Sequence, residues 1–397
     1  MNPFQSLANL ASLAPLASLA NLSILSILSI LADLADLADL ANLRGSLVSN
    51  GSLWAGWPTG FWAQAPVAIE PKWFDQASLW LLGGVLGLLV ASFIVGQFMG
   101  RQPETSVSPA LVQMFNLRVQ AWWLMGAILV AGLLLGRVGT VVLFGLVSFW
   151  ALREFITMTP TRRGDHRALF WVFFAFTPAQ YVLVGLGQSY YDLYSVLIPV
   201  YASLFIPARI AMAGDHKRFL ERSAKIQSGL LICVYALSHT PALLDLRLQT
   251  RVNGELAPWS GSRPGLLFYF VLLVQLADVF QFAWGKLLGR RVIAPAINAS
   301  RTWEGFIGGA LSTTVLGALL YWATPFTLWG SACMALIIAV MGFAGSMTMS
   351  AIKRDRGVED YGTLVQGHAG VLDRIDSLCF AAPVFFHLTR VTVGMAG

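Results

Sequence analysis

From residue 78 to residue 393 the chain is a succession of apolar runs separated by short polar loops. A helix rises 1.5 Å per residue, so about 20 apolar residues cross a hydrocarbon core about 30 Å thick. Runs that meet or approach this length cover 78–98, 120–136, 138–152, 168–187, 191–207, 226–244, 264–284, 304–323, 327–346 and 377–393. Inside hydrocarbon every backbone N–H and C=O must be paired, which leaves only helices and closed barrels. The expected fold is all-α: a polytopic integral membrane helical bundle of about nine to ten transmembrane helices, with the run at 138–152 the weakest.

Composition agrees. Charged residues make up 12% of the chain and hydrophobic ones 56%, whereas soluble domains average about 25% charged. Cys233, Cys333 and Cys379 all fall in apolar runs. They offer neither a disulfide framework nor a metal-ligand spacing. With ten spans, the loops at 99–119, 153–167, 208–225, 285–303 and 347–376 share one side. Those loops hold 19 of the 26 Lys and Arg residues, and the positive-inside rule sets that side in the cytoplasm. The loop at 245–263, with Arg247, Arg251 and Arg263, fits the rule worst.

Four regions are expected: 1–45, 46–77, 78–225 and 226–397. In the first, Leu recurs at every third position from Leu7 to Leu43. Such a stripe slips about 60° per unit round a helix and gives no stable apolar face. It reads as a low-complexity extension outside the working domain. Residues 46–77, with Trp54, Trp57, Trp62 and Trp73, read as a non-cytoplasmic interfacial linker. The last two regions are an N-terminal and a catalytic C-terminal transmembrane region.

The chemistry concentrates in two stretches. At 350–376 charged and histidine side chains gather at a membrane boundary, where charge is costly and marks a site. Asp373 and Asp376 are three apart and share one helix face, so they can converge on Mg2+, which takes oxygen ligands and bridges carboxylates to phosphates. Arg374 lies between them. Lys353, Arg354 and Arg356 bring positive charge, although basic residues flank cytoplasmic helix ends routinely. Gly367–His368–Ala369–Gly370 suits a tight turn near a phosphate, and Asp360 is a further candidate ligand. The second stretch begins at Asp278, a carboxylate inside the apolar run 272–284. Lys286, Ser300, Arg301 and Thr302 follow, with cations and hydroxyls suited to phosphate. Two spans separate the stretches, so both return to one face and can share a pocket.

Taken together, Ser350-x-Ile-Lys353-Arg354, Glu359-Asp360-x-Gly362 and Gly367-His368-x-Gly370-Val-Leu-Asp373-Arg374-x-Asp376 resemble the signature of phosphatidate cytidylyltransferases. Asp278, Gly285-Lys286, Ala294-Pro295 and Ser300-Arg301-Thr302-Trp303-Glu304-Gly305 resemble that family's other recurring stretch. The likeness is sharp over 278–390, looser over 120–277 and absent from the Leu-triplet start.

The resemblance implies a transferase of phospholipid biosynthesis that uses Mg2+ and CTP. Its product from phosphatidate would be CDP-diacylglycerol, and pyrophosphate would leave. It makes Asp373 and Asp376 metal-site residues, joined by Asp278, and leaves a second cation open. Lys353 and Arg354 become phosphate-binding, and Asp360 and His368 belong to the same catalytic signature. Lys286, Ser300, Arg301, Thr302, Ser350 and Arg374 are expected on the substrate side. The site would face the cytoplasm from a bacterial inner membrane. CTP, phosphatidate and membrane lipid are the expected partners, with no nucleic acid. A homodimer is permitted by the small residues at 305–310 and 342–345.

Departures from the signature stand at Glu359 (usually Lys), Gln366 (Pro) and Ala369 (Gly). Ser346 occupies a position that is acidic in the bacterial synthases. These mark a divergent branch, for which CTP-dependent transfer to another lipid, or a non-catalytic transporter or scaffold, are the alternatives.

Overall fold

A computed structural model of the protein describes residues 74–101, 109–158, 161–252, 255–357 and 370–394. The Leu-triplet extension, the linker as far as residue 73, and the signature residues Asp360 and His368 lie outside the described residues.

The described residues form a bundle of ten helical rods. They are α1 (Gln76–Gly100), α2 (Pro109–Leu134), α3 (Gly136–Met158), α4 (Arg163–Leu186) and α5 (Gln188–Ala211). Then come α6 (Phe219–Asp245), α7 (Arg263–Leu288), α8 (Trp303–Leu319), α9 (Leu328–Arg356) and α10 (Leu372–Val393). Among the described residues seven of these, α1, α3–α7 and α9, are long and apolar enough to cross a membrane. The fold class expected from the sequence is the one observed.

Two short antiparallel hairpins interrupt the helices. β1 (Gln249–Val252) pairs with β2 (Glu255–Pro258), and β3 (Val292–Ala294) pairs with β4 (Asn298–Thr302). The second replaces what the sequence presents as a loop, and it carries Ser300, Arg301 and Thr302.

The rods at the two extremes of burial differ in polarity in the sense proper to a membrane. The apolar window of α1, with hydropathy 2.3, is only 11% buried, whereas that of α6, with hydropathy 1.2, is 72% buried. Lipid solvates apolar side chains as well as protein does, so the rod with more polar groups is drawn inward. α6 supplies Ser238, His239 and Thr240, all fully buried. Three rods each contain a π-helical stretch: Val172–Phe176 in α4, Leu197–Ala202 in α5 and Leu231–Ala236 in α6. Such a stretch disturbs the regular backbone ladder. In α4 and α5 a hydroxyl reaches back to a disturbed carbonyl, Thr177 to Val172 O at 2.8 Å and Ser203 to Ile198 O at 3.0 Å.

Contacts across the connections define the two ends of the bundle. Arg222 at the start of α6 makes a buried pair with Asp165 at the start of α4, Nη2 to Oδ1 2.5 Å. Arg356 at the end of α9 lies 3.8 Å from Glu221. At the other end, Arg137 at the start of α3 pairs with Asp245 at the end of α6 at 3.2 Å. Three of the basic loops, 153–167, 208–225 and 347–376, thus gather at one end.

Glycines bring α7–α10 into close contact. A Cβ on Gly309 would lie 2.4 Å from Gln281 Cγ, and one on Gly305 would lie 2.7 Å from the Gln281 carbonyl. One on Gly345 would lie 2.7 Å from the Asp376 carbonyl. The small residues at 305–310 and 342–345 therefore serve packing within the chain. Phe306 on Phe343, with centroids 4.5 Å apart, and Phe270 stacked on Phe385 at 4.8 Å complete these contacts.

Candidate functional site

Asp278 sits midway along α7, flanked by the fully or nearly fully buried Val274 and Ala277. A carboxylate there must find partners, and it has two. Its Oδ1 accepts from Arg301 Nη2 at 3.2 Å, and its Oδ2 accepts from Ser377 Oγ at 2.6 Å. Arg301 is delivered by β4, whose end is fixed as Thr302 accepts from Gly305 N at 3.1 Å and caps α8. Glu304 steadies the other strand, with Oε2 accepting from the backbone N–H of Arg290 and Arg291 at 3.1 and 3.2 Å.

Arg301 is the hub. Besides Asp278 it donates from Nη2 to Ser346 Oγ at 2.6 Å and from Nη1 to Gln281 Oε1 at 3.1 Å. Gln281 in turn donates to Ala339 O at 3.2 Å. One guanidinium therefore ties α7 to α9, and Ser377 ties α7 to α10.

Asp376 Oδ1 accepts from the Ser377 N–H at 2.6 Å. Asp278 and Asp376 thus both bond Ser377, and their charges are held close together. One turn earlier on α10, Asp373 Oδ1 meets Lys353 Nζ at 2.8 Å, with both side chains largely buried. The two stretches singled out in the sequence therefore meet in one place. Three carboxylates stand there against two cations, Lys353 and Arg301.

The remaining expected residues have the following places. Ser350 is buried, and its Oγ accepts from Asn298 Nδ2 at 3.1 Å. Arg354 is exposed and donates from Nε to Ile297 O at 3.2 Å. These two contacts hold the β3–β4 turn against the end of α9. Ser300 donates to Asn298 Oδ1 at 2.7 Å, a bond within β4. Arg374 accepts at its carbonyl from Gln275 Nε2 at 3.4 Å. Lys286 is exposed, with Nζ 5.8 Å above the Phe282 ring, and does not join the hub.

Three contributors were not singled out in the sequence. Gln281 and Ser377 are polar residues within or beside apolar runs, a weak but real signal. Glu154, on α3, is 3% exposed. Its Oε1 accepts from Val371 N at 3.1 Å and its Oε2 from Leu372 N at 2.8 Å. The first N–H groups of a helix have no intrahelical partner, and Val371 has no side-chain acceptor to cap α10. Glu154 satisfies them from another helix and sets a negative charge at the positive end of the α10 dipole.

No three His, Cys, Asp or Glu side chains form a closed metal cage among the described residues. An open site is what Mg2+ favours, with one or two protein carboxylates and the rest water and phosphate. The donor set of Asp278 and Asp376, all carboxyl oxygen, fits that description.

A polytopic helical membrane protein that joins carboxylates to basic groups at one end has the makings of a phosphate-handling site. Comparison with known proteins gives the family. Residues 116–392 match the model of the cytidylyltransferase family, and the chain belongs to that family. It is 33% identical to the uncharacterized protein YnbB of Escherichia coli (strain K12) over 316 residues, 78% of this chain and 97% of YnbB. It is 38% identical over 126 residues to the phosphatidate cytidylyltransferase of Haemophilus influenzae, and 33% identical over 120 residues to that of Staphylococcus haemolyticus. Each of the two matches covers 30% of this chain, and they span 44% and 46% of the respective enzymes.

Proposed function

We propose that the protein transfers the cytidylyl group of CTP to phosphatidate, releasing pyrophosphate and forming CDP-diacylglycerol. The observation that carries this reading is the meeting of Asp278 and Arg301 with Ser377, Asp376 and the Lys353–Asp373 pair. Family membership supports nucleotidyl transfer, and the named enzymes in Haemophilus and Staphylococcus suggest phosphatidate as acceptor.

The chemistry asks little of a base. A phosphate monoester has its second pKa near about 6, so the nucleophile is already mostly ionised at neutral pH. One of its oxygens bonds to the α-phosphorus as the bond from that phosphorus to the bridging oxygen breaks. The electron pair leaves with pyrophosphate. What remains for the protein is alignment and charge neutralisation.

Lys353 and Arg301 neutralise the phosphates, with Arg354 at the rim. Asp373 holds Lys353 in place, and Asp278 and Ser346 hold the Arg301 fork. Mg2+, bound by Asp376 with Asp278 or Asp373, would supply Lewis-acid stabilisation of phosphate charge. Asp360 and His368 are assigned to the same site through the signature alone. The site is assigned to the cytoplasmic face of a bacterial inner membrane, on the basic-loop asymmetry and the origin of the relatives. The acceptor would keep its acyl tails in lipid while its head group meets the site.

A second reading, transfer from CTP to a different lipid phosphate, is favoured by two observations. Ser346 contributes a hydroxyl where the bacterial synthases carry a carboxylate, and the match to YnbB is far longer than those to the named enzymes. Purified protein reconstituted with labelled CTP, Mg2+ and a panel of lipid phosphates separates the readings. Product from phosphatidate alone supports the first. Product only from another acceptor sinks it.

A further inference from the structure

The arginines that defy the charge asymmetry form a structure of their own. Arg390 on α10 lies fourteen residues beyond Asp376, about 21 Å along the helix axis, at the opposite end of the bundle from Asp278. There it lines a cleft with Gln188, Tyr191, Asp245 and Phe386.

Asp245 is the carboxylate at the centre of this end. Its Oδ1 pairs with Arg137 Nη1 at 3.2 Å, and its Oδ2 accepts from the Gln188 backbone N–H. Gly187, at φ +106°, allows the chain to pass directly over that pair. A Cβ there would lie 2.6 Å from Asp245 Oδ2 and 2.7 Å from Arg137 Nη2. Arg263 lies within electrostatic reach of Asp245, Arg247 and Arg137. Arg390 stacks on Tyr191, its Cζ 3.4 Å from the ring centroid, and meets no carboxylate among the described residues.

Asp245 thus has Arg137, Arg263 and Arg390 about it, with Arg247 beside Arg263. Its carboxylate is already committed to Arg137 and Gln188, and Arg390, Arg263 and Arg247 form no close ion pair with a carboxylate among the described residues, Asp245 acting on Arg263 only at longer range. The Gln188 side-chain oxygen is also buried without a hydrogen-bond partner there. Positive charge on this side runs against the positive-inside rule, which disfavours it unless a role compensates. Guanidinium groups form a fork suited to phosphate oxygens. Rotating the Gln188 amide would add a further donor.

We propose that this cleft is a second anion site, which takes a phosphate group at the membrane surface opposite the transferase centre. The phosphate of an anionic lipid head group and free phosphate share this chemistry. Arg390, in the last turn of α10, shares its cleft with Asp245 at the end of the spanning rod α6, which puts the head group within reach.

The test uses full-length protein and the Arg390→Gln/Arg263→Gln double variant. Both are placed in phosphatidylcholine nanodiscs, with or without phosphatidylglycerol, and their thermal unfolding midpoints are measured. Lipids retained after gentle extraction are counted by native mass spectrometry. The expected result is an upward midpoint shift with phosphatidylglycerol in the parent, most of which the variant loses, and one fewer phosphatidylglycerol retained. If inorganic phosphate in phosphatidylcholine discs gives the variant-sensitive shift and phosphatidylglycerol does not, the occupant is free phosphate. Equal shifts in parent and variant, or none with either anion, together with unchanged lipid retention, overturn the proposal.

Discussion

Glu154 offers the sharpest test of how the site is held. Glu154→Ala removes the acceptor for two N–H groups at the start of α10, at 3.1 and 2.8 Å, while leaving Asp373 and Asp376 in the chain. A hydrogen bond to a charged group contributes about 1.5–3 kcal/mol, so two such bonds correspond to about 3–6 kcal/mol. Loss of the charge at the helix N-terminus adds about 0.3–2 kcal/mol. Glu154→Gln keeps one acceptor oxygen, now neutral, and loses the charge, so more than half the cost is expected but less than for Ala. Both variants should show faster hydrogen–deuterium exchange at the Val371 and Leu372 amides, with Ala faster than Gln. Because Glu154 acts by positioning α10, nucleotide turnover should fall more than nucleotide binding. Unchanged exchange at these amides in Glu154→Ala would refute the argument, whatever happened to activity.

Other expectations follow from particular contacts. Gly345→Ala sets a Cβ 2.7 Å from the Asp376 carbonyl and should cost about 1–3 kcal/mol through overpacking, read as a lower unfolding midpoint with reduced turnover. Asp278→Asn leaves Arg301 without its carboxylate and should abolish Mg2+-dependent turnover without loss of membrane insertion, which fractionation checks. Ser346→Asp gives Arg301 a second carboxylate and enriches the oxygen donors near Asp278. The Mg2+ concentration for half-maximal activity should then fall, and an unchanged Mg2+ titration would count against a metal near this residue.

The rods were legible in the sequence because lipid imposes one rule on every turn of each span. The apolar runs at 264–284 and 377–393 fall inside Arg263–Leu288 and Leu372–Val393, and the polar ends they missed are helix continuing into the site. The β3–β4 hairpin was not legible, since Pro295 and Asn298-Ala-Ser300 read as loop and the pairing gains its meaning from Arg301 reaching Asp278. The convergence of the two stretches was legible from span counting. Its wiring was not, because no spacing in the chain links Arg301 to Asp278, Gln281 and Ser346, the three side chains that hold its guanidinium. Glu154 was invisible because it serves backbone groups more than two hundred residues away. Nothing in local spacing reports such a contact.

The most direct measurement is phosphatidate-dependent release of pyrophosphate from CTP by reconstituted protein in the presence of Mg2+, with Asp376→Asn alongside. The account predicts stoichiometric CDP-diacylglycerol and pyrophosphate from the parent, loss of both on chelation of Mg2+, and loss of both in Asp376→Asn. Equal product from the parent and from correctly inserted Asp376→Asn would contradict it.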